Sequence, residues 1–226
     1  MSGQMTQIGD KMVAMNAAIV SRFTHVIDLN EAVHTRLQNE RTVRLARLAM
    51  LIECEGTIGI GMTPPTKTRN RPALCPAVSV ANTAKEIIDE ASDTLTGEGI
   101  EFGVRPRRYQ SRVGTKLRYD VTLHGFNRVR AILTAILPFL RSKKRQAEIV
   151  LEFIESRSNA DLKAAYSDRE WRLTTDVRLL NHCQPQRKAL AKAKAYLESP
   201  AGQQRSRTTE YFRKYVEMCT ELQAAL

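Results

Sequence analysis

The strongest constraint on the fold is a change of hydrophobic period at Gly56. From Thr42 to about Cys54, apolar residues recur every three or four positions, which is the spacing of an amphipathic helix. Immediately after the glycine, the segment "TIGIGMT" alternates with a period of two, which is typical of a strand. A glycine just past a helix is a common stop signal. The sequence therefore predicts a helix that leads directly into a strand.

Further elements follow in a regular order. "ALCPAVSVAN" predicts a second strand, and "TAKEIIDEASDTLTGEG" predicts an amphipathic helix. Two more strands lie between residues 101 and 125, and Pro106 marks the first of them as an edge strand or a bulged one. A helix interrupted at Pro138 then ends near residue 157. We predict an α+β core over residues 41–157 with the order α-β-β-α-β-β-α and an antiparallel sheet.

Both ends of the chain carry helical patterns outside this core. Residues 1–40 predict a helical N-terminal extension, and residues 158–226 predict a helical C-terminal extension with three short helices. Within the second extension, "SDRE" at 167–170 fits a capping box in which Ser167 and Glu170 bond reciprocally. The C-terminal extension is too short and too uniformly helical to hold a second copy of the core.

The charge of the chain indicates a polyanionic partner. Its formal net charge is +11 and its pI is about 9.8. The excess is concentrated, because residues 101–160 contain thirteen basic and five acidic residues. Neutralised phosphates release counterions and favour binding, although a generally basic soluble protein is an alternative explanation of the charge alone.

Other classes of protein are disfavoured by composition. No apolar run approaches the ~20 residues of a membrane span, so no membrane partner is expected. The four cysteines are scattered, which disfavours a zinc site and favours a reducing compartment. The preference for Arg over Lys and the abundance of Ala favour a bacterial, phage or archaeal origin over an organellar one. We therefore expect a cytoplasmic, nucleoid-associated protein.

The segment at the change of period resembles a known signature. "LAMLIECEG" at 48–56 resembles the motif of the LAGLIDADG homing endonucleases, and "ILPFLRSKKRQAEIVLEF" at 136–153 looks like the final core helix of that family. The α-β-β-α-β-β-α order is also that of the family, and the resemblance covers about half of the chain. Met50 departs from the motif, which has a glycine there to let two helices approach. The motif residues that agree are Leu48, Ala49, Leu51, Ile52 and Gly56, with Glu at both acidic positions.

The resemblance implies a metal-dependent site at the end of the motif helix. Acids in a last helical turn repel the helix dipole, and a bound cation removes that cost. By position, Glu55 is the catalytic metal ligand for Mg²⁺ or Mn²⁺, and Glu53 supports the turn or the second shell of ligands. Lys143 matches a lysine that stabilises charge or organises water, and Asn82 matches a polar residue that orders water. The alternatives are solvated acids, a solvated lysine, and Asn82 as a helix N-cap.

A basic sheet face is the expected DNA-binding surface. Strand alternation places its predicted members on the side of the sheet opposite the apolar residues, where a twisted sheet can enter the major groove. The loop between the first two strands adds further cations. The residues on the face are Thr57, Ser79, Arg105, Arg107, Lys116 and Arg118, and those in the loop are Lys67, Arg69 and Arg71.

A single copy of the motif implies a homodimer. Cutting both strands of a nearly palindromic duplex site needs two half-sites, so the resemblance implies a two-fold pair of motif helices in contact. We predict a site-specific double-strand DNA endonuclease encoded by an intron or by a free-standing gene. A catalytically inactive DNA-binding regulator and an RNA-binding intron maturase are the alternatives on the same fold. The predicted interface residues are Leu45, Leu48, Ala49 and Ile52.

Overall fold

The computed structural model describes residue 31 and residues 33–63, 73–111, 114–158, 165–183 and 187–225. The chain divides into two compact units, Met1–Arg44 and Leu45–Leu226. None of the helices in the described ranges is long and apolar enough to cross a membrane.

The predicted α+β core and its α-β-β-α-β-β-α order are confirmed. The first helix, α1, is longer than predicted, and it ends one residue before Gly56, where the first strand begins. The interruption at Pro138 is a 3-10 turn between the last two core helices, Leu137–Phe139. The core elements are α1 (33–55), β1 (Gly56–Thr63), β2 (Ala73–Asn82), α2 (Lys85–Gly97), β3 (Gly103–Ser111), β4 (Gly114–His124), α3 (Phe126–Ile136) and α4 (Lys144–Ser158).

The four strands form one antiparallel sheet with the order β1-β2-β4-β3. Val80 lies opposite Val121, and both side chains are buried beneath the helices. The same buried cluster includes Ile52 of α1, Ile132 of α3 and Phe153 of α4. One face of the sheet therefore packs against the helices in the core. The side chains that alternate with these buried ones form the other face.

The edge position of β3 agrees with the prediction from Pro106. Among the described strands, β3 pairs with β4 alone, and Pro106 lies opposite Tyr119. A proline has no N–H to donate, so a strand with a free side accommodates it without loss of a ladder bond.

Within its described residues, the C-terminal extension contains the three predicted helices and one additional single turn. Its predicted capping box is present: the Ser167 N–H donates to Glu170 Oε2 at 2.6 Å, and the Glu170 N–H donates to Ser167 Oγ at 3.2 Å. The elements are α5 (Asp168–Leu180), α6 (Arg187–Glu198), α7 (Pro200–Gln203) and α8 (Arg207–Ala225).

Polar contacts join this extension to the core. Glu170 is buried against Arg157 of α4, with 3.6 Å between Oε1 and Nη1, and the Arg157 guanidinium lies 4.6 Å from the centre of the Tyr166 ring. Asn181, just past α5, donates from Nδ2 to the Ile58 carbonyl at 2.8 Å. Because β1 pairs with β2 alone among the strands that the structure describes, this bond occupies an acceptor on the outer edge of that sheet.

Gly56 is packed where α1 becomes β1. A Cβ atom at this position would lie 2.8 Å from both Cα and the carbonyl oxygen of Ile52, and 3.0 Å from the carbonyl oxygen of Ser79. These are backbone atoms, so the helix end or the strand would have to move.

We expect Gly56→Ala to lower the free energy of unfolding by about 1–3 kcal/mol, because the added methyl overpacks this junction. Gly61→Ala, on the same strand, is the matched control, since its nearest neighbour is the Cys75 carbonyl oxygen at 3.4 Å. Urea denaturation followed by circular dichroism measures both variants. Equal losses in the two variants would contradict the packing explanation.

Candidate functional site

Glu53 connects the end of α1 to the start of α4. Its carboxylate accepts hydrogen bonds from the backbone N–H groups of Arg141 at 2.8 Å, Ser142 at 3.0 Å and Lys143 at 2.9 Å, and from the Ser142 hydroxyl at 2.7 Å. These donors precede the first turn of α4, where an anion is favoured by the helix dipole. Partial burial raises the pKa of Glu53, but the hydrogen bonds from Ser142, Lys143 and Arg141 outweigh it and lower the pKa to about 2.

Lys143 makes the reciprocal contact with the end of α1. Its Nζ donates to the carbonyl oxygens of Ile52 at 2.8 Å and Gly56 at 2.7 Å. A cation is favoured at a helix C-terminus, where carbonyl groups have no intrahelical partner. We call this pair of contacts, made by Glu53 and Lys143, the α1–α4 clasp. The lysine predicted to lie near the active site is therefore brought to the end of the motif helix, although its ammonium group contacts backbone rather than either acid.

Glu55 differs from Glu53 in its surroundings. It is the last residue of α1, its side chain is exposed, and no described residue makes a hydrogen bond or an ion pair with it. The cost of placing an acid at the negative end of a helix is thus uncompensated at Glu55, whereas four donors compensate it at Glu53. Of the two acids, Glu55 is the one whose oxygens are available to a cation.

The donor set fits a cation held jointly by protein and phosphate. Within the described residues, no group of three or more His, Cys, Asp or Glu side chains is placed to hold a metal ion. Mg²⁺ is commonly bound by one or two carboxylates together with substrate phosphates and water, so the free carboxylate of Glu55 is compatible with it. Glu53 does not fit a ligand role, because both of its oxygens accept hydrogen bonds.

Asn82 lies at the same end of the sheet as Glu55. Gly56 pairs with Val80, and Asn82 is two residues further along β2. The Asn82 Oδ1 accepts a hydrogen bond from the Ala84 N–H at 2.9 Å, just before α2 begins. Asn82 is therefore not the N-cap residue of α2, although its oxygen binds the N–H of the residue that is. No described residue accepts a hydrogen bond from its amide nitrogen. Helix α2 begins slightly later than the sequence predicted, with Ala84 at the N-cap position.

The polar face of the sheet has the predicted members. Thr57 pairs with Ser79, which pairs with Thr122, so these side chains form one row across three strands. Arg105 lies opposite Asp120, and Arg107 lies opposite Arg118. Lys116, two residues before Arg118 on β4, falls on the same face by strand parity. The placement of these residues on one face is confirmed by the register, and their contact with DNA remains a prediction.

Asp120 organises two of the arginines on this face. Its side chain is only 9% exposed, and its carboxylate lies 2.9 Å from Arg107 Nε and 2.8 Å from Arg118 Nε. Within the part of the chain that the structure describes, Arg105 and Lys116 have no ion-pair partner. Strand alternation is enough to place Asp120 on this face, but the arginines that it binds depend on the register of the hairpin. Lys67, Arg69 and Arg71 of the predicted basic loop lie outside the described residues.

The structure corrects the predicted dimer interface. Leu45, Leu48, Ala49 and Ile52 are 0–4% exposed and belong to the core of this chain, so they offer no surface to a second copy. Helical periodicity identified the apolar stripe of α1, and the sheet and the other helices of the same chain cover that stripe. On the outward side of the helix, Met50 is 69% exposed.

Comparisons with known proteins find similar solved structures. No model of a known protein family matches the chain, and no curated protein sequence matches it. The homing endonuclease I-CvuI, in complex with its target in the presence of Ca, has 18% identity and a TM-score of 0.45 over 81% of this chain and 96% of that one. The archaeal intron-encoded homing endonuclease I-Vdi141I, complexed with DNA, has 14% identity and a TM-score of 0.48 over 80% and 98%.

A third similar structure is the LAGLIDADG homing endonuclease I-GzeII in complex with a DNA target. It has 8% identity and a TM-score of 0.42, and the alignment covers 66% of this chain and 47% of that one.

The clasp predicts an acid-dependent loss of stability. Because the folded-state pKa of Glu53 is lowered from 4.5 to about 2, its ionised form stabilises the fold above pH 4.5. That contribution is lost as the pH falls through about 2. We expect Glu53→Gln to cost about 1.5–3 kcal/mol at neutral pH, since hydrogen bonds to a charged acceptor are lost.

The difference in unfolding free energy between wild type and Glu53→Gln should shrink as the pH is lowered through this window. Urea denaturation at a series of acidic pH values measures it. Glu155→Gln, an exposed acid on α4, is the control and should give no such trend. A wild-type–Glu53→Gln difference that is independent of pH would show that the charge of Glu53 contributes nothing to the clasp.

Proposed function

We propose that this chain is a site-specific endonuclease of double-stranded DNA with the LAGLIDADG type of site. The observation that carries the proposal is the free carboxylate of Glu55 at the end of the motif helix. It lies where the motif predicts a metal-binding acid, and β1 continues from it directly into a sheet with a cationic polar face. The motif at 48–56 and the order of the core elements support the same assignment.

The sheet face would bind the duplex and select the site. Arginine side chains on a twisted sheet can pair with guanine edges in the major groove, and shorter polar groups can hold phosphates. Arg107 and Arg118 are held by Asp120, so their guanidinium groups are fixed before DNA binds. Arg105 and Lys116 retain their full charge for phosphates or bases. Fixing the reading groups in advance lowers the entropy lost on binding.

Three residues near the end of α1 would act on the scissile phosphate. Glu55 would hold Mg²⁺ or Mn²⁺ together with phosphate oxygens, and a bound divalent cation supplies water activation and neutralisation of phosphate charge there. Lys143 would place a positive charge beside that phosphate from its position on the Gly56 carbonyl. Asn82 would orient water through its amide nitrogen, which donates no hydrogen bond to a described residue.

Two copies of the chain would be needed to cut both strands. One copy supplies one Glu55, and a palindromic duplex presents two equivalent phosphates, so a two-fold homodimer matches the substrate. The contact would involve the outward side of α1 around Met50, since the inward side is used by the core. A methionine at this position keeps two helices further apart than a glycine does, but its flexible side chain packs readily at such a contact.

One observation favours a second candidate function. Both hydrogen bonds of the Lys143 ammonium group go to backbone carbonyls, which is the arrangement of a purely structural cap. A DNA-binding regulator or an RNA-binding maturase would retain the clasp and the basic face without cleavage.

We expect the purified protein to select a long, nearly palindromic site from a randomised duplex pool in Ca²⁺, and to cut both strands when Mg²⁺ is added. Glu55→Gln should bind the selected site with little change and lose cleavage by at least about 10²-fold, since the ligand charge is removed. The matched control is Glu155→Gln, which should cut like wild type. Specific binding without cleavage by the wild type would favour the regulator, and preference for intron RNA would favour the maturase.

The homodimer predicts a specific effect at Met50. Met50→Asp places a charge at the proposed contact, so sedimentation on the selected duplex should show one bound copy instead of two. Double-strand cleavage should fall with it. Leu180→Asp, at an exposed apolar residue of α5, is the control for the general effect of an added charge. Two bound copies of Met50→Asp would place the dimer contact elsewhere.

A further inference from the structure

The C-terminal extension contains two kinds of exposed cation. Three arginines of α5 and α8 hold acids: Arg169 lies 2.9 Å from Glu152, Arg172 lies 2.9 Å from Glu221, and Arg213 is 2.7 Å from Glu210. On α6 the exposed cations have no ion pair within the described residues. These four residues, which we call the α6 basic face, are Arg187, Lys188, Lys192 and Lys194.

The α6 basic face is one continuous surface. The helix buries Leu190 and Ala193 against its neighbours, and at 3.6 residues per turn the four cations fall within roughly half of its circumference, with Lys188 and Lys192 furthest from the buried side and Lys194 at its border. The other exposed residues of α6 are alanines and Glu198 at the end of the helix. A surface with cations and no large apolar group is suited to phosphates, and it lacks the aromatic or leucine anchors of a membrane-binding helix.

The position of α6 places this surface at the outer end of β1. Lys192 and Met62 line the same cavity of about 280 Å³. Met62 is six residues beyond Gly56 on β1, which at ~3.3 Å per residue is roughly 20 Å from the end of α1. At about 3.4 Å per base pair, this distance corresponds to roughly six base pairs from the proposed cleavage position. The sheet edge nearest to the extension is β1, where Asn181 binds Ile58.

We propose that the α6 basic face binds the phosphate backbone of duplex DNA that flanks the segment contacted by the sheet. The inference rests on the proposed function, in which the sheet face binds duplex DNA. The C-terminal extension would then make a sequence-independent contact with DNA, and each copy of the protein would cover a longer stretch of the duplex. Free cations are what such a contact requires, because each neutralised phosphate releases condensed counterions, whereas a cation already paired to an acid gains less.

The test compares two triple variants that remove the same charge. One is Lys188→Gln, Lys192→Gln and Lys194→Gln together on α6, and the control is Arg169→Gln, Arg172→Gln and Arg213→Gln together, at paired cations of α5 and α8. Fluorescence anisotropy over a KCl series is recorded for each variant and for wild type. Two duplexes are used, one limited to the footprint of the sheet and one extended on both sides by unrelated sequence.

On the extended duplex, we expect the α6 variant to have a salt dependence shallower than wild type by roughly three in the slope of log affinity against log salt, for each bound copy. The control variant should keep the wild-type slope, and on the short duplex all three proteins should agree. Circular dichroism confirms that both variants are folded.

Two outcomes would overturn the inference: equal slopes for the α6 and control variants on the extended duplex, or an equal loss by the α6 variant on both duplexes. Failure of the proposed function would be seen separately, in a wild-type protein that selects no site or does not cut. If the wild type selects a site without cutting it, the α6 comparison still tests the inference, because both duplexes are defined by the selected site.

Discussion

The arrangement of the candidate site depends on the exchange of charge between α1 and α4. Glu53 provides the anion that the start of α4 favours, and Lys143 provides the cation that the end of α1 favours. Each contact satisfies backbone groups that a helix end leaves without partners. Because Glu55 lies between Glu53 and Gly56, which both take part in the clasp, its backbone is held by neighbours that leave its carboxylate free. The clasp thus engages the carboxylate of Glu53 in the structure and leaves the carboxylate of Glu55 available to a cation.

The features that could be predicted from the sequence are those that local chemistry decides. The switch of period at Gly56 and the order of the core follow from the spacing of apolar residues. The bond between Ser167 and Glu170 spans a single helical turn, and the edge position of β3 follows from the missing N–H of Pro106. The side of the sheet on which Arg105 and Ser79 lie follows from alternation alone.

The remaining features depend on contacts between distant segments. The backbone groups that bind Glu53 come from residues 141–143, so nothing near the motif indicates that this acid is engaged. The arginines that Asp120 contacts can be identified only once the register of the β3–β4 hairpin is known. For α1, the apolar stripe is visible in the sequence, but a stripe does not say whether the same chain or a second copy covers it. The exposure of Met50 and the burial of Leu48 supply that answer.

The bond from Asn181 to Ile58 has a consequence for the behaviour of the chain in concentrated solution. An edge strand with unoccupied backbone groups is a template on which another polypeptide can add a strand, and natural proteins cover such edges to avoid aggregation. Here Asn181, the residue after α5, binds the carbonyl of Ile58 on β1. The same strand contains Gly59 and Gly61, which have no side chains to obstruct an added strand. The bond from the C-terminal extension therefore removes one of the acceptors with which another polypeptide could pair at β1.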